Sequence, residues 1–64
     1  MNWQLGQEMK VGDRSYGTIS TIVRDGGRIV QIGSYEYRRT RRVTWGFHFG
    51  EDGAIRITGP SKPW

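Results

Sequence analysis

Arg38-Arg39-Thr40-Arg41-Arg42 sets four guanidinium groups within five residues. A guanidinium fork suits phosphate and carboxylate oxygens better than a lysine ammonium does. Like charges this concentrated repel one another, and an anionic partner offsets that repulsion. A phosphate backbone does so while releasing its counterions. Tyr35 and Tyr37 stand two residues apart just before the run, so an extended chain lays both on one face. Tyrosines beside arginines are suited to single-stranded nucleic acid, because bases stack on the rings while cations follow the backbone. Arg24 and Arg28, with Arg14, extend the patch if their strand ends face the same way, and Tyr16 is a third aromatic candidate. The plain alternatives are a solvated loop for the arginines and packing for the tyrosines, as a second small core or a cover over an open edge.

Other chemistry is poorly supplied. His48, Glu51 and Asp52 are the one compact set of potential metal or acid–base residues, and one histidine with two turn carboxylates makes a poor transition-metal site. There is no cysteine, hence neither a disulfide framework nor a thiolate-ligated zinc. No phosphate-cradling glycine loop and no marked nucleophile is present. The chain is expected to be non-enzymatic, with no metal and no cofactor.

The charge is uneven. Of the net +4, residues 1–13 carry −1, residues 14–42 carry +5 through seven arginines against Asp25 and Glu36, and residues 43–64 carry 0. The excess is arginine and central, which points toward an anionic partner. The N-terminus lacks a basic segment followed by an apolar run, and no apolar stretch approaches the roughly 18 residues of a membrane span. A complete, soluble, cytoplasmic protein is expected.

These residues need elements to hold them. Sixty-four residues suffice for one domain (1–64), with residues 1–7 as an N-terminal arm and 60–64 as a C-terminal tail. A chain this short buries only about 60% of the surface it exposes when unfolded, so its eight aromatics must supply much of the core. Met9-Lys10-Val11 reads as a first strand that turns at Gly12-Asp13. Gly17–Arg24 is β-branched at five of eight positions, which favours a strand. Ile19, Thr21 and Val23 share one face there, and Ile22 breaks the parity as at a bulge. Asp25-Gly26-Gly27 turns the chain into Arg28–Tyr37, where Val30 and Ile32 face one way and Ile29, Gln31, Tyr35 and Tyr37 the other. Gly33 marks a bend or bulge in that strand. In Val43–Phe49 the alternation puts Val43, Trp45, Phe47 and Phe49 on a core face. Gly50–Gly53 turns into Ala54–Thr58 with Ile55 and Ile57 inward, and Gly59-Pro60 stops that strand. Trp3 and Leu5 share a face of the arm, and Trp3 and Trp64 are placed to meet if the termini do. The reading is an all-β, five-stranded, strongly bent antiparallel barrel with a long central hairpin tipped by arginine.

Val11-Gly12-Asp13-Arg14 followed by Tyr16-Gly17-Thr18-Ile19 resembles the opening of SH3-like small β-barrels of the Tudor and KOW kind. Phe47–Ile55 is similar to that family's closing hairpin. The likeness covers about two-thirds of the chain; the segment between Gly12 and Tyr16 is shorter than a full first loop and the second hairpin longer than usual. It implies a binding module, whose ligands in this broad group are nucleic acid, ribosomes, RNA polymerase or modified peptides. Val30-Gln31-Ile32 also matches three residues of the Val-Gln-Ile-Tyr segment of type II dihydrofolate reductases, SH3-like barrels that build one pore from four copies, but Gly33 stands where that family has tyrosine.

The expected function is nucleic-acid binding, DNA or RNA, through Arg38, Arg39, Arg41 and Arg42 with Tyr35 and Tyr37, extended by Arg28 and Arg24. The alternative is a protein-binding regulator of the phage or mobile-element type that docks its basic hairpin on an acidic host protein such as RNA polymerase or a nuclease. An exposed strand edge adds the expectation of a homodimer. No membrane partner is expected.

Overall fold

A computed structural model of the chain describes residues 2–61. Five strands form one antiparallel sheet in sequence order: β1 (Glu8–Val11), β2 (Arg14–Asp25), β3 (Arg28–Arg38), β4 (Arg41–Phe49) and β5 (Ile55–Ser61). The all-β reading and its meander are what the structure shows. Among the described residues there is no helix long and apolar enough to cross a membrane.

The sheet is open rather than a hydrogen-bonded barrel, because the ladder runs from β1 to β5 and no pairing joins those two strands. It still encloses a core. Met9, Ile19, Ile32 and Phe47 are essentially inaccessible to solvent, although among the described residues no second layer covers them. A single sheet buries side chains that deeply only by curling over its own apolar face. Trp3 helps hold the curl, stacking on Phe49 at the end of β4 with ring centroids 5.1 Å apart. Burying Phe47 alone contributes on the order of 1.5–3 kcal/mol.

The arm is part of the ladder rather than separate from it. Gly6 N donates to Ile19 O, and Ile19 N donates to Gln7 O. A tight turn at Gln4–Gln7 separates Trp3 from Leu5, so Trp3 packs on the core cluster while Leu5 is exposed, against the shared face expected of an extended arm.

The parity break in β2 is a bulge. Its register against β3 shifts between Ile19 and Thr21, after which Ile22 pairs with Ile32 and packs on the core while Val23 turns outward. That irregularity lies in β2, not at Gly33, because β3 pairs with β4 without interruption from Gln31↔His48 to Arg38↔Arg41. A second shift, between Val23 and Arg24, leaves Val30 as an extra residue of β3, so Ile29 packs on the core instead of sharing the outer face with Gln31. Gly17, at φ 91°, is needed twice over: its backbone is left-handed, and a Cβ there would overlap the Tyr35 carbonyl.

Two further expectations change at β5. The strand does not stop at Gly59-Pro60 but continues to Ser61, which pairs with Thr44 across a register shift. An edge strand tolerates a proline that lacks a donor, especially at a bulge. Ile55 and Ile57 lie opposite Phe49 and Phe47 on the core face, as their parity predicts, yet remain 40% and 37% exposed. Nothing among the described residues packs beyond the last strand to cover them. Trp64 and the rest of the expected tail after Ser61 lie outside the described residues.

Candidate nucleic-acid interface

The β3–β4 hairpin distributes the arginine run in three directions. Only Arg39 and Thr40 form the turn; Arg38 ends β3, while Arg41 and Arg42 begin β4. A two-residue hairpin loop calls for positive φ, ordinarily supplied by glycine or asparagine. Here Arg39 takes it, at φ 60°, the one non-glycine residue with positive φ among the described residues. That conformation costs an L-residue on the order of 1 kcal/mol. Along the strands the side chains alternate, so Glu36, Arg38, Arg41, Val43 and Trp45 belong to the core face, and Tyr35, Tyr37, Arg42 and Thr44 to the outer face.

On the core face the end of the hairpin is a closed assembly. The Trp45 indole Nε1–H donates to Glu36 Oε2 at 2.6 Å, and Arg38 Nη2 approaches the same oxygen at 3.7 Å. The Arg38 Cζ lies 5.6 Å from the Trp45 ring centroid. Arg14 reaches the ring from β2, with its Cζ 5.3 Å from Trp45 and 4.8 Å from Tyr16. Tyr16 meets Trp45 and Phe47 edge to face. Tyr16, an aromatic candidate by sequence, is therefore a buried member of the core. Arg14 does join the arginine end, because β2 runs antiparallel to β3 and starts beside Arg38.

The outer face is open. Tyr37 is 65% exposed and meets Tyr35 edge to face at 6.0 Å. The Arg42 guanidinium lies over the Tyr35 ring, its Cζ 4.2 Å from the centroid. Among the described residues only Arg38, of the four hairpin arginines, has a carboxylate partner.

Arg24 and Arg28 do not extend this patch. They flank the β2–β3 turn, at the opposite end of β3 from Arg38, on the order of 33 Å away for ten residues of strand. Arg28 Nη1 donates to the Phe49 carbonyl at 3.3 Å, a brace between β3 and the end of β4. His48, Glu51 and Asp52 are not gathered into one set either. His48 pairs across the sheet with Gln31 and Arg56, while Asp52 Oδ1 accepts from Ala54 N at 3.1 Å within the β4–β5 turn. No cluster of three potential metal ligands occurs among the described residues.

Sequence reasoning missed the Glu36–Trp45 bond and the stacking of Arg14. The available signal was parity: Glu36 shares its face with Ile32 and lies diagonal to Trp45, where a carboxylate must find a donor as it is drawn toward the core. Comparison with family models, curated proteins and solved structures finds no match to this chain.

Proposed function

We propose that the protein is a small non-enzymatic module that binds nucleic acid at the tip and outer face of the β3–β4 hairpin. The observation that carries this reading is the exposed Tyr37 beside an Arg42-capped Tyr35, next to an arginine held in left-handed backbone at the turn. The exposed Tyr37 ring contributes little to folding, while Tyr35 is half-buried under Arg42. A strained arginine where glycine would be relaxed points to the side chain's use rather than the backbone's comfort. Arg39, Arg41 and Arg42 supply phosphate contacts, and the tyrosines supply faces for bases. The same proposal takes the sheet as an open relative of SH3-like barrels of the Tudor and KOW kind, since Val11–Arg14 and Tyr16–Ile19 form the β1–β2 turn and the start of β2. A cytoplasmic setting belongs to this reading, and the dimer expectation attaches to β5, exposed along its whole length. Light scattering tests the dimer: a strict monomer of 7.4 kDa at high concentration removes it.

The test of function is fluorescence anisotropy with labelled single-stranded and duplex oligonucleotides at low and moderate salt. A variant with Arg38, Arg39, Arg41 and Arg42 all changed to alanine runs beside the wild type. Binding that falls steeply with salt and vanishes in the variant is expected. Three phosphate contacts, from Arg39, Arg41 and Arg42, give log–log slopes of roughly −2.7 on duplex and −2.1 on single strands. No binding by folded wild type at low salt overturns the reading and turns the search to acidic proteins as partners.

A further inference from the structure

The register carries the tyrosine pair into a longer surface. Directly opposed residues in an antiparallel sheet share a face, so successive rows of the outer face can be read along β3 and β4. Tyr37 stands with Arg42, and Tyr35 with Thr18, Thr44 and Ser61. Gly33 follows with Gly46 and Thr58, and then Gln31 with His48 and Arg56. Thr44 and Ser61 hydrogen-bond through their hydroxyls, which confirms that these side chains share a face.

The middle of this surface is low. Gly33 and Gly46 present no side chain, and the hydroxyls of Thr21 and Thr58 crowd the places where Cβ atoms on these glycines would stand. Thr58 Oγ1 lies 3.4 Å from the Gly46 carbonyl, to which it donates. His48 leans toward the same saddle, its Nε2 4.0 Å from the place of a Gly46 Cβ. The result is a hydroxyl-lined floor with aromatic rings and a cation at one end, and an amide, an imidazole and a second cation at the other. From Tyr37 to Gln31 it runs six residues, about 20 Å.

Resting on the nucleic-acid reading above, we infer that this whole outer face is a track for single-stranded nucleic acid. Bases stack at Tyr37 and Tyr35, the backbone crosses the glycine saddle, and the strand ends at Gln31, His48 and Arg56. A duplex keeps its base faces stacked inside and offers only phosphates and groove edges, so it has no use for an exposed tyrosine face. The length matches about four nucleotides, the small end of the range for single small barrels. Arg42 plays a double part. In the free protein its guanidinium covers Tyr35; when a base takes that ring face, the cation moves to a neighbouring phosphate.

The test uses the whole protein with thymidine and uridine homopolymers of two to eight nucleotides, read by anisotropy and by NMR chemical shifts. Affinity is expected to climb to about four nucleotides and then level. Arg56→Ala and His48→Ala are expected to weaken four-mers by about five- to tenfold, the worth of one charged or polar contact, and to leave two-mers unchanged. Shifts at the Gln31 side-chain amide are expected with four-mers only. Arg56 is exposed and its side chain lies on the outer face, so its variant reports contact rather than folding. Short oligonucleotides that bind with no gain beyond two nucleotides, or with Arg56→Ala and His48→Ala silent, overturn the track and leave the hairpin-tip reading standing. A duplex bound as tightly as a single strand of equal charge does the same. Failure of every oligonucleotide to bind overturns both.

Discussion

The two faces of the β3–β4 hairpin hold the same residue types, aromatic rings beside arginines, in opposite conditions. On the core face Trp45 is 8% exposed, its indole N–H is bonded to Glu36, and Arg38 and Arg14 lie over rings already packed from other sides. On the outer face Tyr37 is 65% exposed, and Arg42 covers one tyrosine without a carboxylate near it among the described residues. Adjacency of arginine and aromatic residues therefore does not by itself make a site. What separates them is whether each polar group and each ring surface is already satisfied: the assembly around Trp45 and Glu36 is complete, and the outer face is not.

The largest effect that tests this contrast is on stability. Trp45→Ala removes a buried indole and leaves Glu36 without its donor, and should cost about 3–5 kcal/mol. A domain of this size has on the order of 3–10 kcal/mol in total, so much of the population should be unfolded, as circular dichroism melts will show. Trp45→Phe keeps most of the packing, and its folded fraction should bind oligonucleotides with wild-type affinity. A folded Trp45→Phe that had lost binding would place the core face in the site and dissolve the distinction.

Tyr37→Ala is the mirror of that experiment. Its ring is mostly exposed, so the melt should move by no more than about 0.5 kcal/mol. Single-strand affinity should fall by the worth of one stacked base, about 1–3 kcal/mol, while duplex affinity holds. Anisotropy on both strand types measures this directly. A large loss of stability instead would mean that the tyrosines serve as a second small core.

Arg39→Gly sets the two properties against each other at one residue. Glycine relieves the positive φ and should stabilise the hairpin by about 1 kcal/mol in denaturant titrations. It also removes a phosphate contact, making the salt slope on single strands shallower by about 0.7. Stabilisation with an unchanged slope would show that Arg39 points away from the ligand.

Parity made much of this legible in the sequence. The core residues of β4, the outward tyrosines and the turn at Gly12-Asp13 all follow from alternation and glycine placement, and the bulge was announced by Ile22. Alternation says which face a residue takes, but not how far along the sheet it lies from another residue. Arg24 and Arg28 extend the tip patch only if their strand ends face the same way, and β3 carries them to its far end. Nor does alternation say whether a face is covered. Ile55 and Ile57 read as core residues and lie on the core side, but β5 is the last strand. The same limit hid the candidate track, because Gln31, His48 and Arg56 become neighbours only through the registers of two strand pairs.

The smallest expected effect is also the most discriminating. Glu36→Gln retains a carbonyl oxygen for the Trp45 N–H and removes the charge facing Arg38. That ion pair is 3.7 Å long, with Arg38 half exposed, so solvent screening leaves it worth about 0–1 kcal/mol and the melt should barely move. The substitution raises the net charge by one near the tip, which should tighten oligonucleotide binding a few-fold at low salt. Such long-range help fades once the Debye length falls well below about 10 Å, so the gain should disappear as salt is raised. If the gain instead persisted at high salt, Arg38 would have left Trp45 to touch the ligand. In that case Glu36 would be a latch on a fourth arginine, and the assembly around Trp45 would be incomplete after all.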